Sequence, residues 1–550
     1  MNSQRSFFGF FVAGVIAVLL IVITGFYWFF VKSPVKLSTP INQPGAAIFV
    51  SKVSPAMVSL LVNPEGLQSL GQQGEFSQIK NSLFAKTKID FSKDIKPWLS
   101  NEITLAVTSE DIDHDPKNGL QPGYLMALAT DNPEKSQEFV ELLFSQRALA
   151  GANLQVKQYK GVKLLYDNQE ITTSEKNQNS LAAAVVDKFV LFANNPKVIR
   201  EAITNVQVPN LNLESSPDYQ KAIQELPKNA LALAFFNLSE IAQWQGLELL
   251  EPTYNSQIIS LVLKPQGLLA ESTFLTTSPI EAVSKPQTKP VGALEYIPES
   301  AGLAIAGTNL SNLTNSNLGK LWQQGTKTIY GSQQEAITRW LKPLVEVQKQ
   351  WGLNLSEDIF NWVTGEYALA ILRNPENIHP NWVFVVEKSP QLASGLKNLD
   401  RIANEKGLNS SSVTLNNQKI TAWTELTATE NQTSVNVETK VKGVHTSINN
   451  YEIFTSDLGV MEKILTHQEQ PLIENSNFQD NIVAIPQPNQ GYVYIDWKKS
   501  QDFLERQQPL LEFVEVLGKP LFDHLRSLTI SSYEERPEIL KGGVFLRLQP

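Results

Sequence analysis

Apolar residues follow two different patterns along this chain. The first is one unbroken run, Phe7–Val31 (FFGFFVAGVIAVLLIVITGFYWFFV), with neither a charge nor a proline. At about 1.5 Å per helical residue it can cross the ~30 Å hydrocarbon layer of a bilayer with room for tilt. Aromatics crowd both ends (Phe7, Phe8, Phe10 and Phe11, then Phe26 to Phe30), where an interfacial belt would hold them. A cleavable signal peptide has a shorter core followed by small residues. Bulky Phe29, Phe30 and Val31 end this run, so it predicts an uncleaved single-pass transmembrane anchor, residues 1–31 including the short leader.

The second pattern has period two. In Glu102–Thr108, Ile103, Leu105 and Val107 share one face while Thr104 and Ala106 occupy the other. Pairing Glu102–Thr108 with Tyr124–Thr130, and Ile258–Leu263 with Leu268–Thr276, predicts hairpins. Asn63-Pro64, Asn132-Pro133, Asn195-Pro196 and Ser216-Pro217 read as helix starts, each a capping residue followed by a first-turn proline. After Pro133, Phe139, Leu142, Leu143 and Gln146 follow helical spacing, as Leu392, Leu396 and Leu399 do after Ser389-Pro390. The expected fold class is α+β, an antiparallel-rich sheet with helices on one face.

Two proline-rich polar stretches, 32–45 (KSPVKLSTPINQPG) and 278–290 (SPIEAVSKPQTKP), read as linkers. The segments after them match. Ser92, Asp94, Ile95, Trp98, Glu102, Leu105 and Ala106 recur as Ser356, Asp358, Ile359, Trp362, Glu366, Leu369 and Ala370, each 264 positions later. Pro133 and Tyr166 match Pro390 and Trp423 at 257. Phe189, Leu191, Phe192 and Val198 match Tyr451, Ile453, Phe454 and Val460 at 262. Tyr219, Gln220, Ile223, Pro227 and Asn237 match Phe478, Gln479, Ile482, Pro486 and Asp496 at 259. The expectation is a duplicated chain: lobe 1 at 46–277 and lobe 2 at 291–550, each with its own core.

Composition narrows the chemistry. The 550 residues carry a net charge of −9 without a basic cluster in the soluble part, which argues against nucleic acid as a partner. No cysteine is present, so disulfides, thiol nucleophiles and thiolate metal sites are excluded. Lys32 and Lys36 follow the anchor and Arg5 precedes it, leaving the positive-inside count nearly even. A short leader before a large domain is the usual form of an outward-facing signal anchor.

Lys96–Thr108 (KPWLSNEITLAVT), Asp111–Asp115 (DIDHD) and Leu120–Leu128 (LQPGYLMAL) resemble a family of membrane-anchored cyanobacterial proteins catalogued only as a domain of unknown function. The resemblance spans nearly the whole soluble part. It implies a cyanobacterial origin and an anchor in the plasma or thylakoid membrane, and it assigns no catalytic residues.

Candidate chemistry is sparse. Asp111, Asp113 and Asp115 stand at positions 1, 3 and 5 of a loop, like the start of an EF-hand calcium cage. However, Pro116 replaces the turn glycine and Pro122 the bidentate glutamate, so a solvated hairpin loop is the expectation. None of the five histidines (His114, His379, His445, His467, His524) sits at metal-ligand spacing. Ser77–Lys80 has the S-x-x-K form without its partner motifs, and no nucleophile elbow or phosphate loop occurs. The Trp98/Glu102 and Trp362/Glu366 pairs read as core landmarks, and Tyr166 and Trp423 as wall residues. Polar stretches Asn168–Ser180 and Glu425–Lys442 read as matched hairpin tips, available for contact with a partner.

No cofactor is implied. The expected function is a membrane-anchored, non-enzymatic binding or scaffold protein, held in the lipid bilayer through Phe7–Val31. Its two-lobed periplasmic or thylakoid-lumenal part would bind a protein of the envelope or thylakoid. The alternatives are a hydrolase with a dispersed Asp/Glu/His site between the lobes, and a lipid- or pigment-binding protein.

Overall fold

The computed structural model describes residues 43–61, 91–113, 121–167, 181–244, 254–276, 287–316, 319–320, 354–374, 380–431, 434–507 and 519–548. The run Phe7–Val31 lies outside these residues, as do Ser77–Lys80, Asn63-Pro64 and Asn168–Ser180. Among the described residues no helix is long and apolar enough to cross a membrane.

The protein mixes strands with helices around one large antiparallel sheet. In the first half the strands are β1 (Ala56–Leu60), β2 (Leu99–Ser109), β3 (Gly123–Thr130), β4 (Leu154–Tyr159), β5 (Val162–Asp167), β6 (Ala182–Val186), β7 (Phe189–Ala193), β8 (Ala230–Asn237), β9 (Ser256–Lys264) and β10 (Gly267–Leu275). The second half supplies β11 (Ala301–Thr308), β12 (Glu366–Leu372), β13 (Asn381–Glu387), β14 (Asn409–Leu415), β15 (Gln418–Asn431), β16 (Ser434–Ile448), β17 (Tyr451–Thr455), β18 (Tyr492–Asp496), β19 (Leu525–Arg536) and β20 (Ile539–Leu548). The helices are α1 (Pro133–Leu149), α2 (Pro196–Gln207), α3 (Pro217–Gln224), α4 (Leu238–Trp244), α5 (Leu392–Glu405), α6 (Leu458–Thr466), α7 (Ser476–Ala484), α8 (Trp497–Gln507) and α9 (Lys519–His524).

The caps work as their chemistry requires. Asn132 Oδ1 accepts from the Lys135 amide at 3.0 Å, and Asn195 Oδ1 from the Lys197 amide at 2.9 Å. Ser216 makes no such side-chain bond, so there the proline alone starts α3. Both expected hairpins form: Thr104 lies opposite Ala127 between β2 and β3, and Leu263 opposite Leu268 between β9 and β10.

From the middle outward, the first half pairs in the order β10-β9-β8-β1-β2-β3-β7-β6-β5-β4. The second half pairs as β20-β19-β18-β11-β12-β13-β17-β16-β15-β14. The halves meet where β10 pairs with β20, from Gly267 opposite Arg547 to Leu275 opposite Ile539. At that seam a Cβ on Gly267 would stand 2.0 Å from the Leu546 carbonyl oxygen, so the ladder closes there only around glycine. The sheet therefore runs on across the boundary between the expected lobes. A shared apolar cluster crosses with it, joining Phe236, Leu261 and Leu268 to Leu303, Ile495, Trp497 and Leu546.

Helices cover both faces of the sheet, not one. On one face Leu125, Ala127, Leu191 and Ala193 pack with Val198, Ile199, Ala202 and Ile203 of α2. On the other, Val190, Phe192 and Ala183 pack with Phe139, Val140, Leu143 and Phe144 of α1. The second half repeats this, with Met461 of α6 and Phe478 of α7 on one face and Leu399 and Ile402 of α5 on the other. The physical reason lies in strands such as Phe189–Ala193, which are apolar at every position and need cover on both sides.

One sequence match is out of phase. Tyr166 packs on the α2 face, whereas Trp423 packs on the α5 face. Tyr166 lies opposite Ala182, and Ala422, not Trp423, lies opposite Val444, the residue matched to Ala182. The pairing thus aligns Tyr166 with Ala422. A slip of one residue in a strand exchanges the two faces, so the wall reading of this pair fails as a shared feature.

Candidate functional site

The aspartate loop is only partly described. Asp111 is buried, and its Oδ1 accepts from the Gln121 amide at 3.2 Å while the Ile112 amide donates to the Gln121 carbonyl at 2.8 Å. Its carboxylate closes the base of the β2–β3 loop. Asp113 is half-buried, and Asp115 lies outside the described residues. Among the described residues no group of three or more His, Asp or Glu side chains could hold a metal ion.

The tryptophan–glutamate pairs are core anchors. A single wide helical turn precedes each tryptophan, Phe91–Ile95 and Leu355–Ile359. Trp98 Nε1 donates to the Asp94 carbonyl at 2.6 Å and Trp362 Nε1 to the Asp358 carbonyl at 2.7 Å. Each glutamate then faces the start of a short 3₁₀ helix. Glu102 accepts from the Gly45 and Ala46 amides at 2.8 and 3.0 Å and from Thr104 Oγ1 at 2.9 Å. Glu366 accepts from the Gly292 amide and from the Tyr451 hydroxyl, both at 2.7 Å. These carboxylates satisfy orphan amides at helix starts, which ties the head of each half to its sheet.

Burial raises the Glu102 carboxyl above its ordinary value of 4.5, against the lowering effect of its hydrogen bonds. The folded state therefore holds that proton more tightly than the unfolded chain. The Glu102 contribution to stability is expected to be greatest below the ordinary carboxylate range and to decline as pH rises through the raised folded value. Urea unfolding of the protein and of Glu102→Gln across that interval checks the sign. The stability advantage of the parent over the variant should shrink with rising pH, and a constant or growing advantage contradicts the assignment.

One buried polar cluster was not singled out by sequence. His445 on β16 and Glu452 on β17 are both buried, with His445 Nδ1 2.6 Å from Glu452 Oε1. Ser447 donates to Glu452 Oε2. The imidazole packs beside Trp423 and Phe454, with ring centroids 4.9 and 5.4 Å away and those two rings 6.4 Å from each other, and Trp423 Nε1 reaches Asp400 of α5 at 2.8 Å. The matched residues in the first half are Ala183 and Val190, both in the apolar cluster under α1. The available signal was Glu452 itself, a charge between Tyr451 and Ile453 in an otherwise apolar strand.

A carboxylate on Nδ1 orients an imidazole as it does in a general base. Here the serine bonds to the carboxylate instead of the imidazole, and buried Nε2 has no hydrogen-bond partner. Packed against two aromatic rings, the group has the form of a core polar cluster and lacks the order of an acyl-transfer relay. His467 instead ends α6 in a left-handed conformation (φ 52°), and His524 ends α9. His114 and His379 lie outside the described residues.

Glu425–Lys442 is the end of a hairpin, as its pattern suggested, and its strands are paired along it. β15 and β16 pair from Asn431 opposite Ser434 back to Thr421 opposite His445, with a bulge beside Trp423. β14 accompanies β15 only as far as Thr424, and β17 accompanies β16 only from Val444. Beyond those points the two strands, among the described residues, pair with each other alone.

No curated protein matches this chain. Among solved structures, three crystal forms of TP0453 are similar. Form I is 8% identical, covering 44% of this chain and 81% of that one at a TM-score of 0.24. Form IV is 9% identical (42% and 80%, TM-score 0.25) and form III 9% identical (44% and 82%, TM-score 0.25). TM-scores this low assign neither fold nor function. The family described as "Protein of unknown function (DUF3352)" matches residues 11–548, so the chain belongs to that family.

Proposed function

We propose that this is a single-pass, membrane-anchored, non-enzymatic binding or scaffold protein whose two duplicated lobes stand outside the membrane, in the periplasm or thylakoid lumen. The observation that carries the reading is the β15–β16 ribbon. Glu425–Asn431 and Ser434–Val441 leave the sheet as two strands, reaching about 20 Å at roughly 3.3 Å per residue. A two-stranded ribbon is marginal alone in water and offers open edges for strand addition by a protein partner.

Duplication is supported by pairing order and by local detail. Tyr219 meets Phe235 edge-on at 5.2 Å and 84°, and matched Phe478 meets Tyr494 at 5.1 Å and 83°, with the hydroxyl moved to the other ring. Asn237 accepts from the Glu240 amide at 3.4 Å, and Asp496 from the Lys499 amide at 3.2 Å. The lobes are then two copies of one fold sharing a sheet.

The test is co-purification from native membranes of the full chain and of a form with residues 426–439 replaced by Asn-Gly. A stoichiometric protein should accompany the parent and be lost from the shortened form at unchanged thermal stability. Identical partners for both forms would sink the ribbon reading. Separately, deleting Met1–Val31 should release the protein from membranes as a soluble, folded form, and a truncated form that still pellets with membranes in high salt would reveal a second membrane-binding surface in the rest of the chain.

A further inference from the structure

We propose that a small patch in the first half, built on Val53, Val208 and Leu211, rests on the surface of the bilayer that holds the anchor. It depends on the reading of Phe7–Val31 as that anchor. The three side chains are 53, 41 and 41% exposed. An antiparallel bridge between Ser51 and Asn212 brings them together. The Lys52 amide donates to the Leu211 carbonyl at 2.9 Å, and the Leu211 amide to the Val208 carbonyl at 3.0 Å. Two exposed cations stand at the margin. Lys52 adjoins Val53, and the Lys160 carbonyl accepts from Gln207 Nε2 at 3.2 Å. Neither Lys52–Val53 nor Gln207–Leu211 contains an acid. A single exposed apolar side chain needs no explanation, but apolar residues grouped beside lysines suit an anionic lipid surface.

The second half contains the same junction without the patch. There Pro298 bridges Pro471, the Glu299 amide donates to the Gln470 carbonyl at 2.9 Å, and the Leu472 amide donates to the Ile297 carbonyl at 2.7 Å, as the Leu213 amide does to the Val50 carbonyl at 2.8 Å. Lys52 and Val53 thus correspond to Glu299 and Ser300, and Val208 and Leu211 to His467 and Gln470. The backbone forms with polar side chains, so the fold does not demand the apolar ones. What sets the first junction apart is the chain before it. Between Val31 and Gln43 the chain reaches at most about 40 Å, and from Gln43 through the 3₁₀ helix Gly45–Phe49 to Val53 at most about 30 Å more. The patch is therefore held at high effective concentration over the bilayer, and a contact too small to bind a free protein suffices. Released from the anchor, the patch alone would not retain the protein on a membrane.

The test places the full chain in nanodiscs of phosphatidylcholine and phosphatidylglycerol. Because the chain has no cysteine, Asn210→Cys gives a single thiol inside the patch, and Gln470→Cys one at the matched junction, both at exposed positions. Each is labelled with a polarity-sensitive fluorophore, and quenching by lipid carrying a nitroxide at the headgroup is measured. The label at Asn210 should be quenched about threefold or more beyond the label at Gln470. Adding Val53→Asp and Leu211→Asp, both on the surface, should bring it down to the Gln470 level at unchanged thermal stability. Quenching that survives those two changes overturns the proposal. Emission that shifts with protein concentration, without quenching by lipid, overturns it in favour of a second copy. Chains recovered outside the discs refute the anchor, and the patch proposal with it. Chains inside the discs with equal quenching at the two positions refute the patch alone.

Discussion

Trp98→Ala is expected to cost about 3–5 kcal/mol, the range for deleting a large aromatic from a core that cannot collapse. Trp98 is 1% exposed, lies 5.2 Å from the Phe139 ring and donates to the Asp94 carbonyl. The rigid sheet on one side and α1 on the other leave nothing to refill the site. Its counterpart Trp362 rests on bare backbone instead. A Cβ on Gly395 of α5 would stand 2.6 Å from the indole. Urea unfolding measures the loss, and Trp98→Phe separates volume from hydrogen bonding by restoring most of the former and none of the latter. A loss below about 1 kcal/mol would mean that the ring is not a core anchor.

Glu452→Val is expected to cost about 3 kcal/mol, and adding His445→Ala should recover part of that loss. The single change leaves His445 Nδ1 buried without its acceptor, and a broken buried pair is far costlier than a replaced one. The double change adopts the residues of the first half, Ala183 and Val190, which pack there without polar groups. Recovery will be incomplete, because alanine leaves a void beside Trp423 and Phe454 where the imidazole packed. A double-mutant cycle by urea unfolding gives the coupling energy, expected at about 1–3 kcal/mol. Strictly additive effects would show that the two side chains do not depend on each other.

Much of the local structure was legible because its causes sit within a few residues. Asn132 and Asn195 cap helices through amides two or three positions away, and the alternation in Glu102–Thr108 belongs to the backbone pleat itself. The recurrence of Trp98 and Glu102 as Trp362 and Glu366 was readable for the same reason, since strand phase leaves a mark on spacing. The errors came where spacing alone had to choose a face. Tyr166 and Trp423 share a spacing with their neighbours but differ by one residue in register, and one residue turns a strand side chain through the sheet.

By itself, then, the sequence determined the hairpins of Glu102–Thr108 and Ile258–Leu263, the asparagine caps and the family to which the chain belongs. The order of strands in the sheet, the β10–β20 seam and the cover of both faces were decided only in the folded molecule. The physical reason is one of range. A cap or a pleat is satisfied by near neighbours, whereas a sheet edge or a buried charge takes whichever partner the closed chain delivers, across separations as long as the 280 residues between Gly267 and Arg547.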